Sequence, residues 1–189
     1  MPAGAVLPAT SIATTPVRDD GLLASLHPVR VTEPCPTSTS TPNGSQQSLA
    51  VSTALESVLG QVLAYGGEHV DEFGGYGLVW DGPRHAAVFA AFASDLSPHR
   101  AALATIVSDP KDLIVCQVAV SERVARALMA KLMDDLQGRF ASIGIGPSGL
   151  SIVLMPDEQA LADALKNDYG DAVTVSFCSA AVPCTYPAA

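Results

Sequence analysis

Leu113-Ile-Val-Cys-Gln-Val-Ala-Val120, closed by Ser121, is the stretch of sequence that decides the fold. Its apolar run predicts a strand buried on at least one face, and a serine in this position is typical of a helix N-cap. The helix that follows, about residues 122–138, carries a stripe of apolar residues at helical spacing: Val124, Leu128, Leu132 and Leu136. A strand followed by an amphipathic helix therefore lies at the centre of the predicted domain.

The segments after this helix predict a second hairpin, a helix and a final strand. The hairpin strands are at 142–145 and 150–154, the helix runs from Pro156-Asp157 to Tyr169-Gly170, and the last strand is at 172–177. From about residue 113 the predicted order is therefore the ferredoxin-like β-α-β-β-α-β motif.

The segments before Leu113 predict a ββα unit. Two strands within residues 77–92 flank a turn at Gly82-Pro83, and a helix begins at Ser97-Pro98, with Ser97 as its expected cap. Hairpin, helix and strand thus occur at 77–118 and again at 142–177, which suggests an internal duplication; the alternative is a chance likeness between two common units. Either arrangement predicts an α+β fold in which an antiparallel sheet has helices on one face.

The chain divides into four predicted parts. Residues 1–47 hold half of all the prolines and a Ser/Thr-rich run, and we expect a disordered tail there. A helix and linker follow at 48–66, the α+β domain at 67–178, and a C-terminal tail at 179–189. Within the first tail, the more apolar residues 22–31 could dock on the domain as an extended arm.

Composition bears on partners and on localisation. The formal net charge of −9 would repel phosphate backbones, so we expect no nucleic-acid partner. No apolar run is long enough to span a bilayer. The Ser/Thr/Pro-rich tail is typical of extracellular stalks, and residues 1–13 are either a plain disordered start or the remains of a signal peptide. We therefore expect a secreted or cell-surface protein, with a cytoplasmic one as the alternative.

The four cysteines allow three pairings. Cys178 and Cys184 lie close together in sequence and predict a local disulfide. Cys116 lies in the apolar strand and is interpreted as a small buried hydrophobe, whereas Cys35 could be free. No Cys/His cluster has the spacing of a zinc site, so we expect no metal and no cofactor.

The candidates for catalysis are weak. His69 with Asp71 and the neighbouring glutamates could form an acid/base or metal cluster, which is the basis for a small hydrolase or ligand-binding enzyme; the alternative is a solvated acidic loop. His99, in the first turn of a helix, is expected at the surface. Gly144-Ile-Gly-Pro-Ser-Gly149 has the GxGxxG spacing of a dinucleotide site, but a strand follows it where a helix is required. We expect a hairpin turn there and no catalytic residues in the chain.

Phe73-Gly-Gly-Tyr-Gly-Leu-Val-Trp80 is the best candidate for recognition of a partner. Aromatic residues on a strand near a sheet edge make good anchors for another protein, so Phe73, Tyr76 and Trp80 are the predicted partner-binding residues. In the alternative interpretation, Trp80 fills the core.

Three stretches carry a resemblance to a known family. They are Phe73–Asp81, Pro98-His-Arg-Ala-Ala-Leu103 and Tyr169-Gly-Asp-Ala-Val-Thr-Val175, spread over the domain in one order. The chain resembles the pro-region of bacterial chymotrypsin-like secreted serine proteases, of the alpha-lytic protease and streptogrisin type, and the stand-alone actinobacterial secreted proteins that carry the same unit. The resemblance implies a non-catalytic domain that acts as a chaperone or inhibitor by docking on a secreted serine protease. A cell-surface module of unknown role is a further alternative.

Overall fold

The structure, a computed structural model, describes residues 23, 26–36, 53–80, 86–108, 110–146 and 149–179. The helices in this part of the chain are α1 Thr53–Glu68, α2 Leu96–Ile106, α3 Glu122–Asp135 and α4 Gln159–Tyr169. The strands are β1 Phe73–Trp80, β2 Ala86–Phe92, β3 Leu113–Gln117, β4 Phe140–Gly146, β5 Gly149–Leu154 and β6 Val173–Phe177. Helices and strands are both abundant, which confirms the predicted α+β class.

The strands form two three-stranded sheets of the same topology, β1-β2-β3 and β4-β5-β6. In each sheet the first two strands are an antiparallel hairpin and the third is parallel to the second. The expectation of an antiparallel sheet therefore needs correction, because both sheets are mixed. A helix follows β2 and another follows β5, so each returns the chain to the starting end of the sheet, and the next strand pairs in parallel. The β-α-β-β-α-β order is present, but its strands are divided between two sheets.

The two halves of the domain repeat each other in detail. Each begins with a helix, so the repeating unit is αββαβ, one helix longer than the sequence pattern suggested. The first strand of each sheet carries an irregularity near its start, between Phe73 and Gly75 and between Phe140 and Ser142. A short 3-10 turn precedes β3 and β6 alike. The repeated hairpin, helix and strand predicted from the sequence are thus present in the fold.

Each sheet packs one face against two helices. On the first sheet, the buried apolar side chains of α1 and α2 cover strand residues such as Val88 and Phe92. On the second sheet, α3 and α4 cover Leu150, Ile152 and Leu154. Strand β2 is buried on both faces, as its uninterrupted apolar sequence would suggest, since a second cluster around Phe89 covers its other side.

Residues 26–36, here called the N-terminal arm, lie against the outer edge of β3. The Val29 amide donates to the Ala119 carbonyl at 2.8 Å, and the Gln117 amide donates to the Glu33 carbonyl at 2.7 Å. The Oε1 atom of Gln117 accepts from the Thr32 amide at 2.8 Å. The sequence suggested that residues 22–31 could dock on the domain as an extended arm, and residues 26–36 do so. Most of the predicted tail at 1–47 lies outside the described residues.

A disulfide joins the N-terminal arm to β3. Cys35 and Cys116 are bonded; their Cα atoms are 4.9 Å apart, and the two residues are separated by 81 positions in sequence. The interpretation of Cys35 as free and of Cys116 as a simple buried hydrophobe is therefore wrong. Sequence spacing could not reveal this pair because only the fold brings the arm to the strand. The predicted Cys178–Cys184 bond involves Cys184, which lies outside the described residues.

The helix starts agree in part with the predicted caps. Ser121 caps α3 through its side chain, which accepts from the Val124 amide, as expected. Helix α2 begins earlier than predicted, because Asp95 accepts from the Ser97 amide at 3.1 Å and takes the capping role assigned to Ser97. None of the helices in the described ranges is long and apolar enough to cross a bilayer.

Two glycine substitutions test local packing, one in β1 and one in α1. A Cβ atom at Gly74 would lie 2.2 Å from a Val118 methyl group, so Gly74→Ala should lower the free energy of unfolding by about 2 kcal/mol through overpacking. Gly60, exposed in the middle of α1, has no neighbour within 4 Å of such an atom. Gly60→Ala should therefore raise the free energy of unfolding by about 1 kcal/mol. Urea titration measures both, and a Gly74→Ala protein as stable as the wild type would contradict the close approach.

Candidate functional site

The predicted aromatic anchors occupy three different environments on β1. Phe73 is buried and packs its ring 5.5 Å from that of Phe92. Trp80 is half-buried at the end of the strand. Tyr76 is 41% exposed, and its ring stacks parallel to Phe73 at 6.5 Å. Of the three predicted anchors, Tyr76 is therefore the most accessible. The buried Phe73 ring supports the Tyr76 ring by stacking against it.

Tyr76 lines a groove of about 370 Å³ between the two sheets. The lining residues come from β1, β2, the first turns of α3 and the end of β4: Gly74, Gly75, Tyr76, Phe89, Glu122, Arg126, Ile145 and Gly146. We call this surface the β1 groove. Glu122 and Arg126 form an ion pair along α3, so the groove has a charged wall beside the Tyr76 ring and the Ile145 side chain.

Glycines allow β1 to lie beside the groove. Gly75 has φ 118°, in the region that favours glycine, at the irregularity in the β1–β2 pairing. Gly77 packs directly on a ring, since a Cβ atom there would lie 2.6 Å from Phe89. Side chains at these positions would narrow the groove or displace the strand.

The two edges of the first sheet differ in their hydrogen bonding. Strand β1 is an edge strand, paired on one side with β2. The opposite edge, β3, is covered by the N-terminal arm through a bridge between Pro34 and Gln117 and through the Cys35–Cys116 disulfide. Edge strands present backbone donors and acceptors to other chains unless they are covered. Of the two edges, β1 is the one that lies beside the groove.

A second group of polar side chains surrounds His99, under the start of β1. His99 is only 2% exposed, and its ring stacks on Phe92 at a centroid distance of 3.9 Å. Its Nδ1 atom lies 3.0 Å from the Tyr65 hydroxyl. Its Nε2 atom lies 2.9 Å from both Ser94 Oγ and Glu72 Oε2. With His69, whose ring centroid is 5.4 Å from that of His99, these residues form what we call the His99 cluster.

The electrostatics of the cluster favour a neutral imidazole. Burial lowers the pKa of His99, and the Glu72 carboxylate opposes this only in part. Burial and the charges of Glu72 and Glu68 raise the pKa of the Tyr65 hydroxyl, which keeps its proton. A hydroxyl can donate or accept a hydrogen bond, so Tyr65 can satisfy either tautomer of the His99 ring.

The cluster does not have the arrangement of a Ser-His-acid triad. In a triad, the serine and the carboxylate bond to opposite nitrogens of the imidazole. Here Ser94 and Glu72 both lie at Nε2, and their oxygens are 3.4 Å apart. The carboxylate therefore cannot orient the ring from the far side while the ring activates the serine.

The His69 and Asp71 pair expected from the sequence is not brought together. Asp71 forms an ion pair with Arg123 of α3 at 2.8 Å. His69 instead packs on the Tyr65 ring at 4.3 Å and faces Glu72 and His99. Of the acidic residues grouped with His69 in the sequence, Asp71 is therefore directed to α3, whereas Glu72 lies beside His69.

Sequence reasoning missed His99, which was expected at the surface. The signal that could have found it is its position in the first turn of α2, next to the apolar residues that the helix buries, Leu96 and Leu103. The glycine-rich Gly144–Gly149 stretch includes the end of β4 and the start of β5, which pair as an antiparallel hairpin, as the hairpin interpretation requires. Its residues 147 and 148 lie outside the described part of the chain.

Comparisons with known proteins leave the family open. No protein-family model matches the sequence, and no characterised protein matches it either.

Proposed function

We propose that this chain is a non-catalytic protein-binding domain that docks on a secreted chymotrypsin-like serine protease through β1 and the β1 groove. The observation that carries the proposal is an exposed tyrosine, Tyr76, on an edge strand beside a groove. A tyrosine offers a large, rigid contact surface and a hydroxyl at its tip, and such residues dominate the binding energy of many interfaces. The resemblance to protease pro-regions supplies the class of partner.

The edge position of β1 supplies the main-chain part of the interaction. A strand of the partner can extend the sheet there by backbone hydrogen bonds, while Tyr76 and the groove select its side chains. At the opposite edge of the sheet, the N-terminal arm already pairs with β3. The proposed contact is therefore limited to the edge that adjoins the groove.

Charge and compartment support the same class of partner. The net charge of −9 favours a neutral or basic surface and disfavours nucleic acid. The Cys35–Cys116 disulfide fits a protein that resides in an oxidising compartment, secreted or at the cell surface. The alternative enzyme would use the region of His69 and Asp71. Because Asp71 forms an ion pair with Arg123, we propose no catalytic role for His69 together with Asp71.

A binding experiment tests the proposal. The full chain is titrated against a bacterial chymotrypsin-like secreted serine protease, and both the inhibition constant and the dissociation constant are measured. We expect Tyr76→Ala to weaken binding by about 30-fold, because it removes the central aromatic anchor. Met133→Ala is the matched control, since Met133 is a similarly exposed apolar residue, 47% accessible, on α3 outside the groove.

Two results would contradict the proposal. The first is a wild-type chain that neither binds nor inhibits such proteases at micromolar concentrations. The second is equal binding by the Tyr76→Ala and Met133→Ala proteins, which would remove β1 from the interface even if binding occurs. Circular dichroism of both variants excludes unfolding as the cause of any loss.

A further inference from the structure

Three side chains of the His99 cluster lie close enough to share a cation. His69, Glu72 and His99 each offer one ligand atom, and these atoms all lie within 4.8 Å of one another. The Nε2 atom of His99 and Oε2 of Glu72 are already 2.9 Å apart. Two imidazoles and one carboxylate are a ligand set that zinc commonly takes in proteins, with a fourth position left for water.

We propose that His69, Glu72 and His99 form a zinc-binding site. Zinc bonds of about 2.0–2.2 Å in a tetrahedron place the ligand atoms about 3.3 Å apart. The Glu72–His99 pair needs to open only slightly to reach this separation, and rotation of the His69 side chain closes the rest. His69 is half-buried and Glu72 exposed, so both side chains have room to adjust.

The backbone positions the three ligands close to one another. The His69 carbonyl accepts from the Glu72 amide at 2.9 Å and from the Phe73 amide at 2.8 Å, which makes a tight turn that presents His69 and Glu72 together. His99 comes from the first turn of α2, whose start is fixed by the Asp95 cap. The site therefore joins the turn before β1 to the helix after β2.

Tyr65 and Phe92 hold the ring of His99, the most buried of the three ligands. Metal-bound histidines nearly always engage their other ring nitrogen in a hydrogen bond, which fixes the ring and the tautomer. The Tyr65 hydroxyl lies 3.0 Å from Nδ1, and its oxygen can accept a hydrogen bond from the Nδ1–H group when Nε2 binds the metal. The Phe92 ring, stacked at 3.9 Å, prevents rotation of the imidazole. Tyr65 is therefore a positioning residue for the site.

The cluster is also satisfied without metal. Among the described residues, no buried side-chain nitrogen or oxygen lacks a hydrogen-bond partner. Zinc would replace the contacts of His99 with Glu72 and Ser94, so we expect an exchangeable ion that folding does not require. The exposed side of the site is at Glu72, whose side chain is 48% accessible, and this is the path by which the ion would enter.

The proposal is tested by calorimetric titration of the full chain with zinc chloride. The absorption spectrum of the cobalt-substituted protein reports the ligand geometry. We expect one ion per chain. His69→Gln and Glu72→Gln should abolish zinc binding. Tyr65→Phe should weaken it by about 10-fold, because the hydrogen bond to Nδ1 of His99 is lost. His27→Gln is the matched control, since His27 is an exposed histidine on the N-terminal arm. It should bind as the wild type does.

The proposal is overturned if the wild-type chain binds zinc no more tightly than about 100 μM, or if His69→Gln and Glu72→Gln bind as tightly as His27→Gln. His69 and Glu72 are the least buried ligands, so their variants are expected to fold, and circular dichroism checks this. The result is independent of protease binding, because zinc is titrated without any partner.

Discussion

Replacing Cys35 with Ser and Cys116 with Ala should lower the free energy of unfolding by about 4 kcal/mol, since the disulfide closes a long loop in the unfolded chain. The two residues are 81 positions apart. Without the bond, the unfolded chain gains conformational freedom, while the contacts of the N-terminal arm with β3 can still form. The denaturant dependence of unfolding should also become steeper, because the unfolded state exposes more surface.

Urea titration of the double variant and of each single variant measures this effect. Cys116→Ala and Cys35→Ser remove the same cross-link, so all three proteins should lose similar free energy. If the free energy of unfolding fell by less than about 1 kcal/mol, the disulfide would add little to the stability, and the hydrogen bonds between the arm and β3 would be sufficient to hold them together. Variants are preferable to reduction with a thiol, which would act on every disulfide in the chain.

Phe92→Ala should be comparably destabilising, by about 4 kcal/mol, because it removes a fully buried ring from the first core. The Phe92 ring packs against His99 at 3.9 Å, Phe73 at 5.5 Å and Tyr65 at 6.0 Å. No single neighbour can fill the space, since these rings belong to three different elements. The variant should therefore also disturb the His99 cluster.

Urea unfolding measures the effect of Phe92→Ala, and two further variants serve as comparisons. Phe92→Leu keeps most of the volume and should cost less than about 1.5 kcal/mol. Leu154→Ala changes the equivalent position in the second sheet, and should cost about 3 kcal/mol. Leu154 is equivalent because the backbone carbonyls of Phe92 and Leu154 accept from Val118 and Cys178 in the same way. Equal stability of the Phe92→Ala and Phe92→Leu proteins would contradict the packing described.

Local signals in the sequence were sufficient for the order of the elements. The periodicity of α3, the Ser121 cap and the apolar run of β2 each depend on residues close in sequence, and each appears in the structure. The repeat was visible for the same reason. The mixed sheets were not predicted, because hairpin signals are local whereas the parallel pairing of β2 with β3 depends on how α2 packs.

The missed features all depend on contacts between distant residues. Cys35 reaches Cys116 only after the N-terminal arm has crossed to β3. His99 lies 30 positions after His69, so no metal spacing in the sequence could indicate the pair. Tyr76 was predicted as an anchor together with Phe73 and Trp80, and only the strand geometry separates the exposed ring from the buried one.

The position of the N-terminal arm has a consequence for biosynthesis. Thr32 leaves the ribosome 85 residues before Gln117, the residue to which it bonds. During that interval the N-terminal arm has no β3 strand on which to dock, and the edge of the nascent first sheet is not covered by the arm. The cysteine pair can be oxidised only after Cys116 of β3 has been synthesised, so formation of the bond marks completion of the first sheet.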